Sequence, residues 1–166
     1  RFEDLLERHR QNPRRARLGS MPWLAIADID HFKKINDTWG HLYGDEILLL
    51  FSRLMRQSFR SDDLLFRYGG EEFVLILNNT TAQGALTALE RFREAIGNHS
   101  FPTVGRVTVS IGWVCVQPNS LPSDLMHRAD KALYHAKGNG RNQVTSFEAT
   151  FGELKDAPQA SAVDLF

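Results

Sequence analysis

The amino-acid sequence predicts an α+β fold in which helices flank a central, mainly antiparallel sheet. Three observations lead there. Segments with apolar residues at helical spacing alternate with short apolar runs of strand length. Two of those runs, "DDLLFRY" and "EEFVLIL", flank Gly69-Gly70, which signals a hairpin. The elements follow in the order helix, strand, helix, hairpin, helix, strand, helix, strand, and that order suits a layered α+β sandwich.

The first element, "RFEDLLERHR", reads as a helix to about residue 11. The chain thus opens inside a helix, which suggests a fragment of a longer protein whose N-terminal sensory or regulatory part lies elsewhere. A basic stretch over 8–17, broken by Pro13 and closed by Gly19, reads as a solvated loop of unassigned purpose. "MPWLAIADID" reads as a buried strand ending in acids. Residues 36–44 form a polar, glycine-containing loop. From Asp45 onward, Ile47, Leu50, Phe51, Leu54 and Met55 recur at helical spacing. The Gly-Gly hairpin follows. Residues 81 to about 98 form a helix with Ala85, Leu89, Phe92 and Ile96 on one face, and "RVTVSIGWVCV" is the next strand. Ser123 can cap a helix with inner residues Leu125, Ala129, Ala132, Leu133 and Ala136, and Gly138 can end it. "NQVTSF" is a short last strand. The arrangement resembles the split βαβ order of ferredoxin-like folds. One domain over 1–150 is expected, followed by a loosely ordered tail over 151–166.

Composition narrows the function. The 166 residues suit one domain, and the 42% hydrophobic and 24% charged content is that of a globular protein. The 20 basic and 20 acidic residues cancel, so an extended nucleic-acid face is not expected. The single cysteine, Cys115, lies in a strand-like run and reads as a structural thiol, which fits a reducing compartment. No apolar stretch approaches the roughly 18 residues that a membrane span needs, and no signal peptide is visible. The expected setting is cytoplasmic, including the cytoplasmic part of a larger membrane-anchored protein.

The acids carry the chemistry. Asp28 and Asp30 end the first strand, and Glu71 and Glu72 open the strand after the glycine turn. If these strands are neighbours, the carboxylates meet at one edge of the sheet and form a site for a hard cation, for which Mg²⁺ with substrate phosphates is the usual occupant. The alternative is that acids stand there because strand ends leave the core. Asn36 and Asp45 flank the loop that leads into the long helix. A carboxylate can accept both donors of a guanine edge, and an adenine edge would leave such a pair badly matched. Equally, Asp45 could cap a helix and Asn36 could make a turn.

Three motifs in register decide between these alternatives. "DIDHFKKINDTWGHLYGDEIL", "RYGGEEF" and "RADKALYHAKGNGRN" resemble the diguanylate cyclase (GGDEF) family, and the similarity runs from residue 23 to about 144. That family makes cyclic di-GMP and two pyrophosphates from two GTP. The resemblance implies the GGDEF fold, a relative of the nucleotidyl-cyclase palm. It implies that Asp28 and Glu71, helped by the carbonyl of Ile29, bind two Mg²⁺ per active site, with Mn²⁺ as the other suitable cation. Glu72 belongs to the same catalytic signature. Asn36 and Asp45 would read guanine, Gly69 and Gly70 would let backbone approach the phosphates, and His41 would shape the nucleotide loop. Lys33, Lys137 and Arg141 would contact the terminal phosphates, although basic residues at helix ends also occur without any ligand. Turnover would need a homodimer, because each domain holds one GTP.

The resemblance also implies an inhibitory site. "RSDD" places Arg60 and Asp63 in the family's Arg-x-x-Asp motif for cyclic di-GMP, and Arg91 matches a further arginine of that site. An exposed ion pair of little energy is the plain alternative. Glu71 in place of aspartate is a common variant that keeps the charge. The family's stretch resembling "LTGLPNR" is absent before Arg1, which truncation explains. A non-catalytic cyclic di-GMP receptor is the runner-up, but such proteins usually lack the signature acids that are present here.

Overall fold

The structure is a computed structural model and describes residues 20–152. The helix expected over 1–11, the basic loop over 8–17 and most of the expected tail lie outside the described residues. Strand β1 (Met21–Ile29) leads to helices α1 (Phe32–Trp39) and α2 (His41–Ser58). Hairpin strands β2 (Leu64–Gly69) and β3 (Glu72–Thr80) follow, then helix α3 (Ala82–Asn98). A small ribbon, β4 (Ser100–Phe101) and β5 (Gly105–Arg106), precedes β6 (Val109–Cys115), α4 (Pro122–Gly138), β7 (Val144–Ser146) and α5 (Phe147–Phe151). The main sheet runs β2-β3-β1-β6-β7. All its pairings are antiparallel except β6 with β7. The architecture is α+β with helices on the sheet, as the alternation of periods required.

Alternation along the strands divides the core between the two faces. The odd residues Ala25, Ala27 and Ile29 of β1, with Phe73 and Leu75 of β3, face Ile47, Phe51 and Met55 of α2 and Leu89 and Phe92 of α3. Phe51 joins the layers, with its ring 4.6 Å from Phe73 and 5.2 Å from Phe92. The even residues Leu24, Ile26, Val74 and Ile76 face Leu125, Ala129 and Leu133 of α4. The apolar faces expected for α3 and α4 are all buried.

Three local expectations need correction. The segment 36–44 is not a loop. It is the end of α1 and the start of α2, with a break at Gly40 whose φ of 90° is open to glycine. The helical period was legible only from Asp45 because His41 and Leu42 are exposed and carry no apolar pattern. Ser123 does not cap α4: Pro122 is its first residue and Leu121 precedes it, with the ring at the position where no N–H is needed. In the hairpin, the two loop residues are Gly70 and Glu71. Arg67 pairs with Phe73 and Gly69 with Glu72, so Tyr68 is an extra residue in β2, a bulge that shifts the turn by one position.

Candidate active site

The end of β1 and the start of β3 lie side by side. Asp28 stands opposite Glu72, and the Ile29 N–H donates to the Glu71 carbonyl at 3.3 Å. The carboxylates of the hairpin therefore share one sheet edge with Asp28, as the strand-end acids suggested. Glu71 and Glu72 are half-buried, whereas Asp28 is 4% exposed. Burial pushes the Asp28 carboxyl up to about 6. Its hydrogen bond and charge pairing with Lys137 oppose that rise, and the nearby charges of Glu71 and Glu72 add to it.

Lys137 meets Asp28 directly, with Nζ 2.9 Å from Oδ2. The sequence pointed Lys137 towards phosphates and gave no sign of this ion pair. Its cause lies at Gly112 of β6. A Cβ there would come within 2.1 Å of the Leu133 N and 2.3 Å of the Ala129 O, so the missing side chain lets the α4 backbone rest on the sheet. That close seat places the last turn of α4 over the end of β1.

Asp30 does not join this cluster. It is 3% exposed, and its carboxylate is taken by three donors: Thr108 Oγ1 at 2.7 Å, Ser110 Oγ at 2.7 Å and the Asn142 N–H at 3.0 Å. The apolar-then-acid pattern of "ADID" could not separate the two aspartates, because their roles depend on donors roughly 80 and 112 residues away in sequence.

The hairpin turn is held from outside. Arg67 donates to the Gly70 carbonyl from Nε at 3.1 Å and from Nη2 at 2.8 Å. Neither Gly69 nor Gly70 lies in the left-handed region, and a Cβ on Gly70 would meet nothing within 4 Å. The turn itself does not require glycine at position 70.

The two residues at the α1–α2 corner are close through Gly44. A Cβ on Gly44 would fall 1.9 Å from Asn36 Oδ1, so the Asn36 carboxamide fills the place of that side chain. This Oδ1 is buried without a partner. Asn36 lies within α1 and Asp45 lies five positions into α2, whose N-cap is Gly40, so neither the turn nor the cap alternative holds. Asp45, Lys33, His41 and Arg141 are exposed.

The donors at the sheet edge suit a hard cation in part. Among the described residues, no group of three or more His, Cys, Asp or Glu side chains could enclose a metal ion. Oxygen ligands from one or two carboxylates, completed by substrate phosphates, are how Mg²⁺ is usually held, and the Asp28–Glu71–Glu72 set fits that manner of binding.

Near the other end of β3 from Glu72, a cleft of about 280 Å³ is lined by Arg60, Asp63, Asn78 and Arg91. The three residues assigned to an inhibitory site therefore line one cleft. Asp63 is also a brace: Oδ2 accepts from the Arg60 N–H at 3.0 Å and Oδ1 from the Asn78 N–H at 3.0 Å. No described helix is long and apolar enough to cross a membrane.

Comparison with known proteins identifies the family. The sequence model for "Diguanylate cyclase, GGDEF domain" matches residues 1–143. The chain is 45% identical over 125 residues to the probable diguanylate cyclase DgcT of Escherichia coli K12, which covers 72% of this chain and 28% of that protein. The chain spans about a third of the length of the curated relatives it matches. Its fold superposes on the GGDEF domain of DgcB from Caulobacter crescentus in complex with c-di-GMP, with a TM-score of 0.77, 33% identity and coverage of 89% of this chain and 86% of that one. The active GGEEF domain of a diguanylate cyclase from Vibrio cholerae superposes with a TM-score of 0.76 and 30% identity, covering 88% of this chain and 91% of that one.

Proposed function

Because this chain belongs to the diguanylate cyclase GGDEF-domain family, we propose that it condenses two GTP into cyclic di-GMP with release of two pyrophosphates. The observation that carries the reading is the meeting of Asp28 with Glu71 and Glu72 across β1 and β3. Asp28, Glu71 and the Ile29 carbonyl would hold Mg²⁺. When bound, that ion supplies charge neutralisation for phosphoryl transfer.

The protein's own groups do the remainder. The 3′-oxygen of one GTP bonds to the α-phosphorus of the other, the bond from that phosphorus to pyrophosphate breaks, and the hydroxyl proton passes to the carboxylate cluster, to which we assign Glu72. Lys33, Lys137 and Arg141 take the charge of the terminal phosphates. The open space above Gly70 supports a close approach of substrate to backbone. Asp45, which is exposed, accepts from the guanine edge, Asn36 reads the flanking positions once its carboxamide turns away from Gly44, and His41 shapes that pocket. Each chain contributes one GTP, so turnover takes place between two copies with sites face to face. Product binding at Arg60, Asp63 and Arg91 restrains the enzyme.

Incubation with Mg²⁺ and either GTP or ATP, followed by chromatography, tests the reading. Cyclic di-GMP from GTP alone is expected, with none from the Glu71→Ala variant. Asp45→Ala should narrow the preference for GTP over ATP. A parent protein that makes no cyclic dinucleotide at high concentration would leave the receptor reading in its place.

A further inference from the structure

We propose that Asp30 is a positioning residue, which holds the segment 140–142 in a strained shape and thereby aims Arg141 at substrate phosphate. The phosphate role of Arg141 rests on the function proposed above; the holding does not.

The segment is unusual. Gly140, Arg141 and Asn142 all have positive φ, at 107°, 64° and 47°. Glycine adopts such values freely, but arginine and asparagine do so at a free-energy cost, and the surroundings must hold them there. Asp30 is what holds them. The Asn142 N–H donates to its Oδ2 at 3.0 Å, so the segment is tied to a buried carboxylate at the end of β1. That carboxylate is itself fixed by Thr108 and Ser110 of the β6 side, and the Asp30 N–H donates to the Thr108 carbonyl at 2.9 Å. Three lesser ties assist: Arg93 Nη1 donates to Asn142 Oδ1 at 3.1 Å, the Arg141 N–H donates to the Ala136 carbonyl at 3.0 Å, and Gln143 Nε2 donates to the Arg141 carbonyl at 3.4 Å. Arg141 is left exposed, just past the turn of helix that carries Lys137. Asp28 and Asp30 then divide the work. The first faces the reacting centre with Lys137, and the second sets the backbone from which the next cation projects.

The carboxylate acts here by geometry. An asparagine at position 30 could offer its oxygen to the Asn142 N–H while its amide faces Ser110, whose hydroxyl can turn to accept. An alanine could do neither. Asp30→Ala should therefore weaken binding of GTP with Mg²⁺ by roughly tenfold to a hundredfold, the value of a charge-assisted contact. Asp30→Asn should stay within roughly threefold of the parent. Arg141→Ala should weaken binding as Asp30→Ala does, and the double variant should be no weaker than Arg141→Ala alone.

Calorimetric titration of the 166-residue chain and its variants with GTP and Mg²⁺ reads these values. Hydrogen exchange of the parent reads the holding without any ligand or variant, and the Asn142 amide should be protected. Parent-like affinity in a folded Asp30→Ala would overturn the proposal, as would full additivity with Arg141→Ala. An Asn142 amide that exchanges as fast as a free one would overturn it even if Asp30→Ala cannot fold. An Arg141→Ala that binds GTP normally would instead overturn the phosphate role, while the protection of Asn142 would still stand or fall by itself.

Discussion

Asp28 is buried, whereas the metal role proposed for it would require its charge. Burial raises its carboxyl to about 6 in the metal-free protein, against 3.8 for a free aspartate. The folded state thus binds the proton more tightly than the unfolded state does. This group's contribution to stability is fully present below about pH 4 and is lost as pH rises through about 6. With chelator present, Asp28→Asn should flatten the fall in stability over that window and stabilise the protein at pH 7 by up to about 3 kcal/mol. Urea unfolding of parent and variant across pH reads the difference. Gly44 sets the place of a second site residue. Gly44→Ala should displace Asn36 and weaken GTP binding by roughly tenfold. Its stability should fall by roughly 1–2 kcal/mol, because the Cβ would also lie 3.2 Å from the buried Phe32 ring and the alanine's helix preference offsets only part of that crowding. Titration against thermal unfolding separates the two effects. Asp28, Glu71 and Asn36 were singled out through the motifs that resemble the family, because strand-end acids and a lone amide also occur without any ligand. The partner of Asp28 and the separate task of Asp30 were not, since both depend on contacts over a hundred residues apart.

Elements carry these side chains to one place, and two small features decide how well. Gly112 lets α4 rest on the sheet. Gly112→Ala should force the helix outward, because its Cβ would meet α4 backbone rather than a movable side chain. Destabilisation of roughly 1–3 kcal/mol or more is expected in urea unfolding. Arg67 braces the hairpin turn through the Gly70 carbonyl. Arg67→Ala should lower stability by only about 1 kcal/mol. Displacement of Glu71 should reduce turnover by up to about a hundredfold. An equal, small effect on both would show that the turn holds its own shape. The elements themselves were largely visible in the sequence. The apolar faces of α3 and α4 follow from period alone, because burial of one face imposes it, and both hairpin strands follow from apolar runs on either side of Gly69-Gly70. What period could not show was the bulge at Tyr68, where one extra residue changes the turn without changing the apolar pattern, and the start of α2, whose first turn is exposed.

At the scale of the whole molecule, the proposed reaction gives each chain one of two GTP to hold. If two sites must meet, the rate per chain should rise with protein concentration until dimers saturate, and dilution should reverse the rise. A rate per chain independent of concentration over a wide range would contradict the need for two copies. The proposed restraint by product belongs to this scale too. Arg60→Ala should relieve inhibition by cyclic di-GMP while synthesis persists. It is a cleaner variant than one at Asp63, whose carboxylate also braces the turn. The α+β class was legible from element order, whereas the pairing of β1 between β3 and β6 was not, because strand order is set by packing over long separations. That pairing is what brings Asp28 to the hairpin, and it can be examined directly. Crystals soaked with Mn²⁺ and a GTP analogue that lacks the 3′-hydroxyl should show anomalous density in contact with Asp28, Glu71 and the nucleotide phosphates. Nucleotide bound elsewhere, or bound with no ion at those carboxylates, would contradict the account.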